Sequence, residues 1–216
     1  MKMRTNKKQE KIIIDIDNKK GVSTIGKDTK LLAKHAKSLK FKSAIDIGVG
    51  TGFIPIYLRK LGLNCQGTDI NPLALNCAKK NAKKNNVQVN FYNSNLFDNI
   101  NEKFDLIIFN PPYGNSNPHF FNKILEIVKS FSPKENVIVS KISFQLVKKQ
   151  RRILINDFLN KVNLYLNDKG QILMQLNRSE MYLVRGFTLK ILDKIKVGNS
   201  HIVLLDKQQQ IKTYKY

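Results

Sequence analysis

Ser43-Ala44-Ile45-Asp46-Ile47-Gly48-Val49-Gly50-Thr51-Gly52-Phe53 decides the fold of this chain. The apolar run 43–47 reads as a strand, and three alternating glycines follow it at once. Glycine reaches left-handed backbone angles that other residues avoid. The chain can therefore turn sharply and leave space for a ligand beside the main chain. Phe53 to Leu61 then reads as a helix, with Pro55 tolerated in its first turn. Working outward, Leu63 to Thr68 is a second strand. Asn71-Pro72 gives a cap and a first-turn proline, the start of a helix running to about Lys84. Val87 to Tyr92 and Phe104 to Phe109 are the third and fourth strands. Upstream, Asp28 can cap a helix to Leu39, with Leu31, Leu32, His35, Ala36 and Leu39 at helical spacing. Ile12 to Ile16 suggests a short strand. Short apolar strands separated by helices predict an α/β, Rossmann-like, doubly wound and mostly parallel sheet with helices on both faces.

Beyond residue 113 the pattern predicts helix over Phe120–Phe131, an extended piece at Val137–Ser140 and helix over Ile153–Leu166. A turn at Lys169-Gly170 leads to a strand, Gln171–Leu176. Helix is expected over Ser179–Leu192 and a last strand at Ile202–Leu205. Two segments, 137–140 and 171–176, compete for the fifth place in the sheet.

The chain has 216 residues and a hydrophobic fraction of 42%, enough to bury a core without metals or disulfides. A polar, basic and mobile arm is expected over 1–11, with one domain over 12–216. No apolar run approaches the roughly 20 residues of a membrane span. Ile12-Ile13-Ile14 is too short for a signal-peptide core, and a cytoplasmic location is expected. Cys65 and Cys77 read as reduced core thiols. His35, His119 and His201 are too scattered for a metal site. The formal charge of +22 would attract a polyanion. Residues 1–40 hold twelve Lys or Arg against four acids. Lys141, Lys148, Lys149, Arg151 and Arg152 fall in 141–152 with no acid, the clustering a phosphate-contacting surface needs.

In an open parallel sheet, ligands bind outside the carboxyl ends of the strands. Gly48, Gly50 and Gly52 lie at one such end. Their Gly-x-Gly-x-Gly spacing differs from the Gly-x-Gly-x-x-Gly that presents a helix N-terminus to a pyrophosphate. Asp69 ends the second strand, 17 residues after Gly52. Asn110-Pro111-Pro112-Tyr113 follows the fourth. A glycine turn, an acid and this loop, in that order, resemble a class I S-adenosylmethionine-dependent methyltransferase of the group that methylates planar nitrogen. The likeness covers roughly residues 25–115. The Asp-Lys-Gly turn at 168–170 also resembles the family's usual entry to its fifth strand, which favours 171–176. The stretch before it is then an insertion beside the site.

The resemblance implies S-adenosyl-L-methionine as cofactor and no metal. It implies that Asp69 accepts hydrogen bonds from the ribose hydroxyls and that Asp46 helps hold the methionine end. Ile70 and Leu96 would sandwich the adenine. Asn95 takes the slot of an adenine-contacting Asp, with Asp98 as the alternative. The reacting nitrogen would have its lone pair delocalised into a carbonyl or ring. Two acceptors, the Asn110 side-chain oxygen and the Pro111 carbonyl, would localise that pair and stabilise the positive charge that develops. Two prolines stiffen the loop, and Tyr113 offers a flat stacking face. Phe120 and Phe121 read as core, with stacking on a flipped base as the alternative. The substrate expected first is an exocyclic base amine of nucleic acid, RNA before DNA. The alternative is a release-factor glutamine amide, since Asp28-Thr29-Lys30-Leu31-Leu32 looks like part of the glutamine-methylating group. A non-catalytic nucleic-acid-binding module on a degenerate methyltransferase fold is the third reading.

Overall fold

A computed structural model describes residues 12–112, 133–187 and 189–207. The basic arm, Tyr113, His119, Phe120, Phe121 and the helix expected over 120–131 lie outside the described residues. In the helix that begins at Pro133, side chains are described at 141 and from 143 onward.

Strands β1 (Ala44–Ile47), β2 (Cys65–Asp69), β3 (Phe91–Asn93), β4 (Phe104–Phe109), β5 (Leu166–Asn177), β6 (Leu189–Val197) and β7 (Ser200–Lys207) form one seven-stranded sheet in the order β3-β2-β1-β4-β5-β7-β6. Strands β1 to β5 run parallel, and β7 is antiparallel to both β5 and β6. The order reverses between β1 and β4, which opens a crevice at their carboxyl ends.

The central strands are buried on both faces, as their apolar runs require. Their side chains alternate between two cores. Ile45, Ile47, Ile107 and Phe109 face one, filled by Ile155, Phe158, Leu159 and Val162 of the long helix. Ala44, Leu106 and Ile108 face the other, with Leu32, Ala33, Ala36, Ile54 and Leu58. Helices α1 (Lys27–Ser38), α2 (Phe53–Lys60) and α4 (Pro133–Val162) supply these residues, while α3 (Pro72–Lys84) buries Ala74, Leu75, Cys77 and Ala78 in two smaller clusters with Val22 and Val49. Phe158 stacks on Phe109 at 4.3 Å between ring centroids, pinning the end of β4 against α4. Such a pair contributes about 0.5–1.5 kcal/mol beyond burial.

The structure corrects several expectations. Ile12–Ile16 joins no strand: its backbone is held by side chains instead. Asn85 Oδ1 accepts from Asp15 N at 3.0 Å, and Asn81 Oδ1 accepts from Asp17 N at 2.9 Å. Gly26, not Asp28, caps α1; the Asp28 carboxylate sits inside the first turn and accepts from Thr29 N. Strand β3 starts later, at Phe91. Residues 137–140 are helical, part of a 30-residue α4 that absorbs the helix expected from Ile153. Among the described residues, 179–192 form no α-helix. Two short 3-10 turns, Arg178–Glu180 and Leu183–Gly186, lead into edge strand β6. The fifth place in the sheet falls to the segment containing 171–176, as favoured.

Candidate active site

A cavity of about 530 Å³ opens at the carboxyl ends of β1, β2 and β4. Its size is ordinary for a small-molecule site. The glycine turn forms its floor. Gly48 and Gly52 have φ of 78° and 81°, in the left-handed region where a side chain is strained. A Cβ at Gly52 would also meet Ala78 Cβ at 2.8 Å. The space above Gly48 is open, with no atom within 4 Å of where a Cβ would stand. Gly48 N and Val49 N donate to Thr68 O at 2.8 and 2.9 Å, which ties the turn to the end of β2.

Asp69 locks this corner. Its Oδ2 accepts from Gly50 N at 3.0 Å and its Oδ1 from Asn71 N at 2.9 Å. A carboxylate has about four acceptor sites, so both oxygens retain lone pairs toward the cavity. Burial pushes its pKa up against the lowering pull of those backbone donors. Asp46 lies deeper, 2% exposed. Burial, and then the neighbouring Asp69 charge, raise its pKa well above the usual carboxylate range. Among the described residues, Asp46 Oδ1 has no hydrogen-bond partner. A buried carboxylate left so is costly.

Ile70, Asn95 and Leu96 all line the cavity. Ile70 is half exposed, and Leu96 is buried at a φ of 52°. Asn95 Nδ2 donates to Asp98 Oδ2 at 3.3 Å. Asp98 itself is drawn out of the cavity by Lys161 Nζ of α4 at 2.9 Å. That contact holds its carboxyl below the usual range.

Asn110, Pro111 and Pro112 form the opposite wall. Asn110 Nδ2 donates to Thr29 Oγ1 of α1 at 3.0 Å. With the amide so turned, Asn110 Oδ1 is buried with no partner among the described residues. Pro111 O accepts from Arg151 Nη1. Arg151 was expected on a phosphate-contacting surface. It is instead 5% exposed and ion-paired with Glu180 at 2.8 Å. Its basic neighbours Lys148, Lys149 and Arg152 are exposed.

The site thus gathers Asp46, Gly48, Gly50, Asp69, Ile70, Asn95, Leu96, Asn110 and Pro111 around one cavity, with Gly52 behind the turn. Tyr113 lies outside the described residues. Sequence reasoning missed the segment 21–26, which lines the same cavity. Asn71 Nδ2 holds it by donating to Gly21 O at 3.2 Å. It also missed the contacts of Thr29 and Arg151 with the loop. Thr29 stood in a quoted motif with no role attached, and Arg151 was one cation in a basic run.

Sheet order, glycine turn, strand-end acid and Asn-Pro-Pro loop together define a class I methyltransferase domain. Residues 15–134 match the family described as "Methyltransferase small domain", and the chain belongs to that family. A release factor glutamine methyltransferase of Buchnera aphidicola is 32% identical over 164 residues, 74% of this chain and 55% of the relative. A ribosomal RNA small subunit methyltransferase C of Haemophilus influenzae is 31% identical over 161 residues, 72% of this chain and 45% of the relative. This chain therefore spans about half the length of those two relatives. A crystal structure of a methyltransferase from Pyrococcus furiosus superposes with a TM-score of 0.62 at 15% identity, covering 90% of this chain and 89% of the other.

S-adenosylmethionine is the cofactor of this class, and the residues present fit it. The molecule is cationic at its amino group and sulfonium. Asp46 offers an unpartnered buried carboxyl oxygen and Asp69 a fixed carboxylate for hydroxyls. The open space over Gly48 admits a ligand against the backbone.

Proposed function

We propose that this chain is an S-adenosylmethionine-dependent N-methyltransferase acting on a planar nitrogen of a macromolecule. One observation carries the reading. Asn110 Oδ1 is a buried acceptor without a partner among the described residues, on the wall of the cavity, with its amide turned by Thr29. The NH2 group of a primary amide or of a base presents only donors in its plane. An acceptor there binds one N–H, and the second lone pair of Pro111 O can bind the other. Both contacts strengthen as the nitrogen becomes positive. When bound, S-adenosylmethionine supplies an electrophilic methyl group. The residues' share is placement: Asp69 takes the ribose hydroxyls, Asp46 the methionine end, and Ile70 and Leu96 the two faces of the adenine. Asn95, which faces the cavity while Asp98 does not, takes the adenine amine.

For the macromolecule we favour nucleic acid, RNA before DNA, with an exocyclic base amine as acceptor. The charge of +22 and the exposed cations on α4 support it. A second reading, release-factor glutamine, is favoured by the Asp28-Thr29 pair beside Asn110 and by the Buchnera relative. Tritiated methyl transfer into total RNA, DNA and protein from a strain lacking this gene separates the two. Label in RNA or DNA is expected, with transfer falling steeply as salt rises. Label confined to a protein band, with little salt dependence, would replace the base amine by glutamine. Absence of label from all three fractions would overturn the enzymatic reading.

A further inference from the structure

We propose that Arg151 is a positioning residue for methyl transfer: clamped by Glu180 and Gln175, it fixes the Pro111 carbonyl and, through it, the Asn110 amide. The inference rests on the reading of Asn110 and Pro111 given above.

Pro111 and Pro112 have no N–H, so neither can donate to a neighbouring carbonyl. An outside donor must fix the loop's backbone, and Arg151 Nη1 does so at Pro111 O. The guanidinium is aimed by two further contacts. Its Nε donates to Glu180 Oε1 at 2.8 Å and its Nη2 to Gln175 Oε1 at 2.7 Å. A planar fork used in three directions has its orientation set, which a lysine ammonium could not reproduce.

Each anchor is itself held. Glu180 closes a capping box: its Oε2 accepts from Asn177 N at 2.8 Å and its Oε1 from Asn177 Nδ2 at 3.2 Å. Gln175 lies in β5 and pairs with Ile202 of β7. Arg151 rides on α4 one turn before Ile155 and two before Phe158, both wholly buried. The clamp therefore joins helix, sheet and turn to one carbonyl of the loop.

Stability alone is a poor reason for this arrangement. Arg151, Gln175 and Glu180 are 5%, 0% and 3% exposed. Desolvating such a pair is costly, and an apolar replacement often serves stability as well. A buried ion pair that ends on the loop beside the candidate acceptor is better explained by placement. Pro111 O keeps a second lone pair for the substrate, so the clamp leaves its acceptor role open.

The test uses Arg151→Ala, Arg151→Lys and the double variant Arg151→Ala/Glu180→Ala, with whichever macromolecular fraction the wild type labels. We expect kcat of Arg151→Ala to fall about 100-fold, the scale of a misplacement near 1 Å, with S-adenosylmethionine affinity unchanged by calorimetry. Arg151→Lys should recover little. Added guanidinium, below denaturing concentrations, should restore turnover to Arg151→Ala and not to the double variant. An unchanged kcat, or a loss that guanidinium does not relieve in a folded Arg151→Ala, would overturn the proposal. Hydrogen exchange of Arg151→Lys gives a readout that needs no substrate. Faster exchange confined to the amides of 106–110 supports the clamp, and unaltered exchange there overturns it. A wild type that labels nothing would count against the N-methyltransferase reading, and the exchange result would still decide the clamp.

Discussion

The two walls of the cavity are built on different principles. The wall at β1 and β2 is made mainly of two segments close in sequence, Gly50 and Asp69 being 19 positions apart. Gly48 to Gly52 and Asp69 to Asn71 lie at the ends of adjacent strands, joined by main-chain donors to Thr68 O and the Asp69 carboxylate. The wall at β4 is made of distant residues. Asn110 leans on Thr29, 81 positions away, and Pro111 on Arg151, 40 positions away. Short-range backbone contacts suit the part of the site that must fit one invariant cofactor. Long-range side-chain contacts suit the part proposed to meet a substrate, because helices α1 and α4 then set the loop independently of the glycine turn.

That division can be broken from either side. The largest effect is expected for Asn110→Ala. Losing a preorganised acceptor should lower turnover by about 100- to 1,000-fold; residual transfer near wild type would remove Asn110 from the chemistry. Asp69→Ala comes next and should act on the other side. Charge-assisted hydrogen bonds of about 1.5–3 kcal/mol correspond to roughly 10- to 100-fold weaker S-adenosylmethionine binding. Calorimetry showing wild-type affinity would sink the ribose role. Thr29→Val should be milder. It removes the acceptor for Asn110 Nδ2 and should cost roughly tenfold in turnover, about one hydrogen bond, while Thr29→Ser stays close to wild type. Equal losses in both variants would point to packing, not to the hydroxyl.

The smallest effect is a pH slope. The Asp46 carboxyl binds its proton more tightly in the folded chain than in the unfolded one, because burial and then Asp69 raise its pKa. Its contribution to stability is therefore fully present below about pH 4, the ordinary Asp value, and is lost as pH rises through the raised folded value. Without cofactor, thermal melts should show this loss, and Asp46→Asn should flatten it. A variant with the wild-type slope would show that another group titrates.

The sequence revealed the first wall far better than the second. Strand ends and helix starts over 44–109 follow from glycines, Asn71-Pro72 and apolar runs, all local signals. The Asn71 cap appears as expected, with its Oδ1 accepting from Leu73 N at 3.0 Å. Past the Asn-Pro-Pro loop, local signals mislead. Val137 to Ser140 looks extended because Val and Ile favour strands, yet it is helix in α4. Ser179 to Leu192 carries apolar residues at helical spacing, yet Leu189–Val197 pairs along β7 as a strand. A register shift between Ile191 and Asp193 breaks the period-2 alternation that would have marked it. Arg151 was hidden for a related reason: in a run of cations, composition cannot tell the one that turns inward. Thr29 was visible as part of a motif, and its partner only through the fold.

The most direct test of this division of labour is calorimetric binding of S-adenosylmethionine to Asn110→Ala beside the wild type. The account predicts the same dissociation constant for both, because the Asn110 amide serves the acceptor nitrogen and the wall at β1 and β2 holds the cofactor. A clearly weaker constant for the variant would contradict it, and would make Asn110 part of the cofactor site.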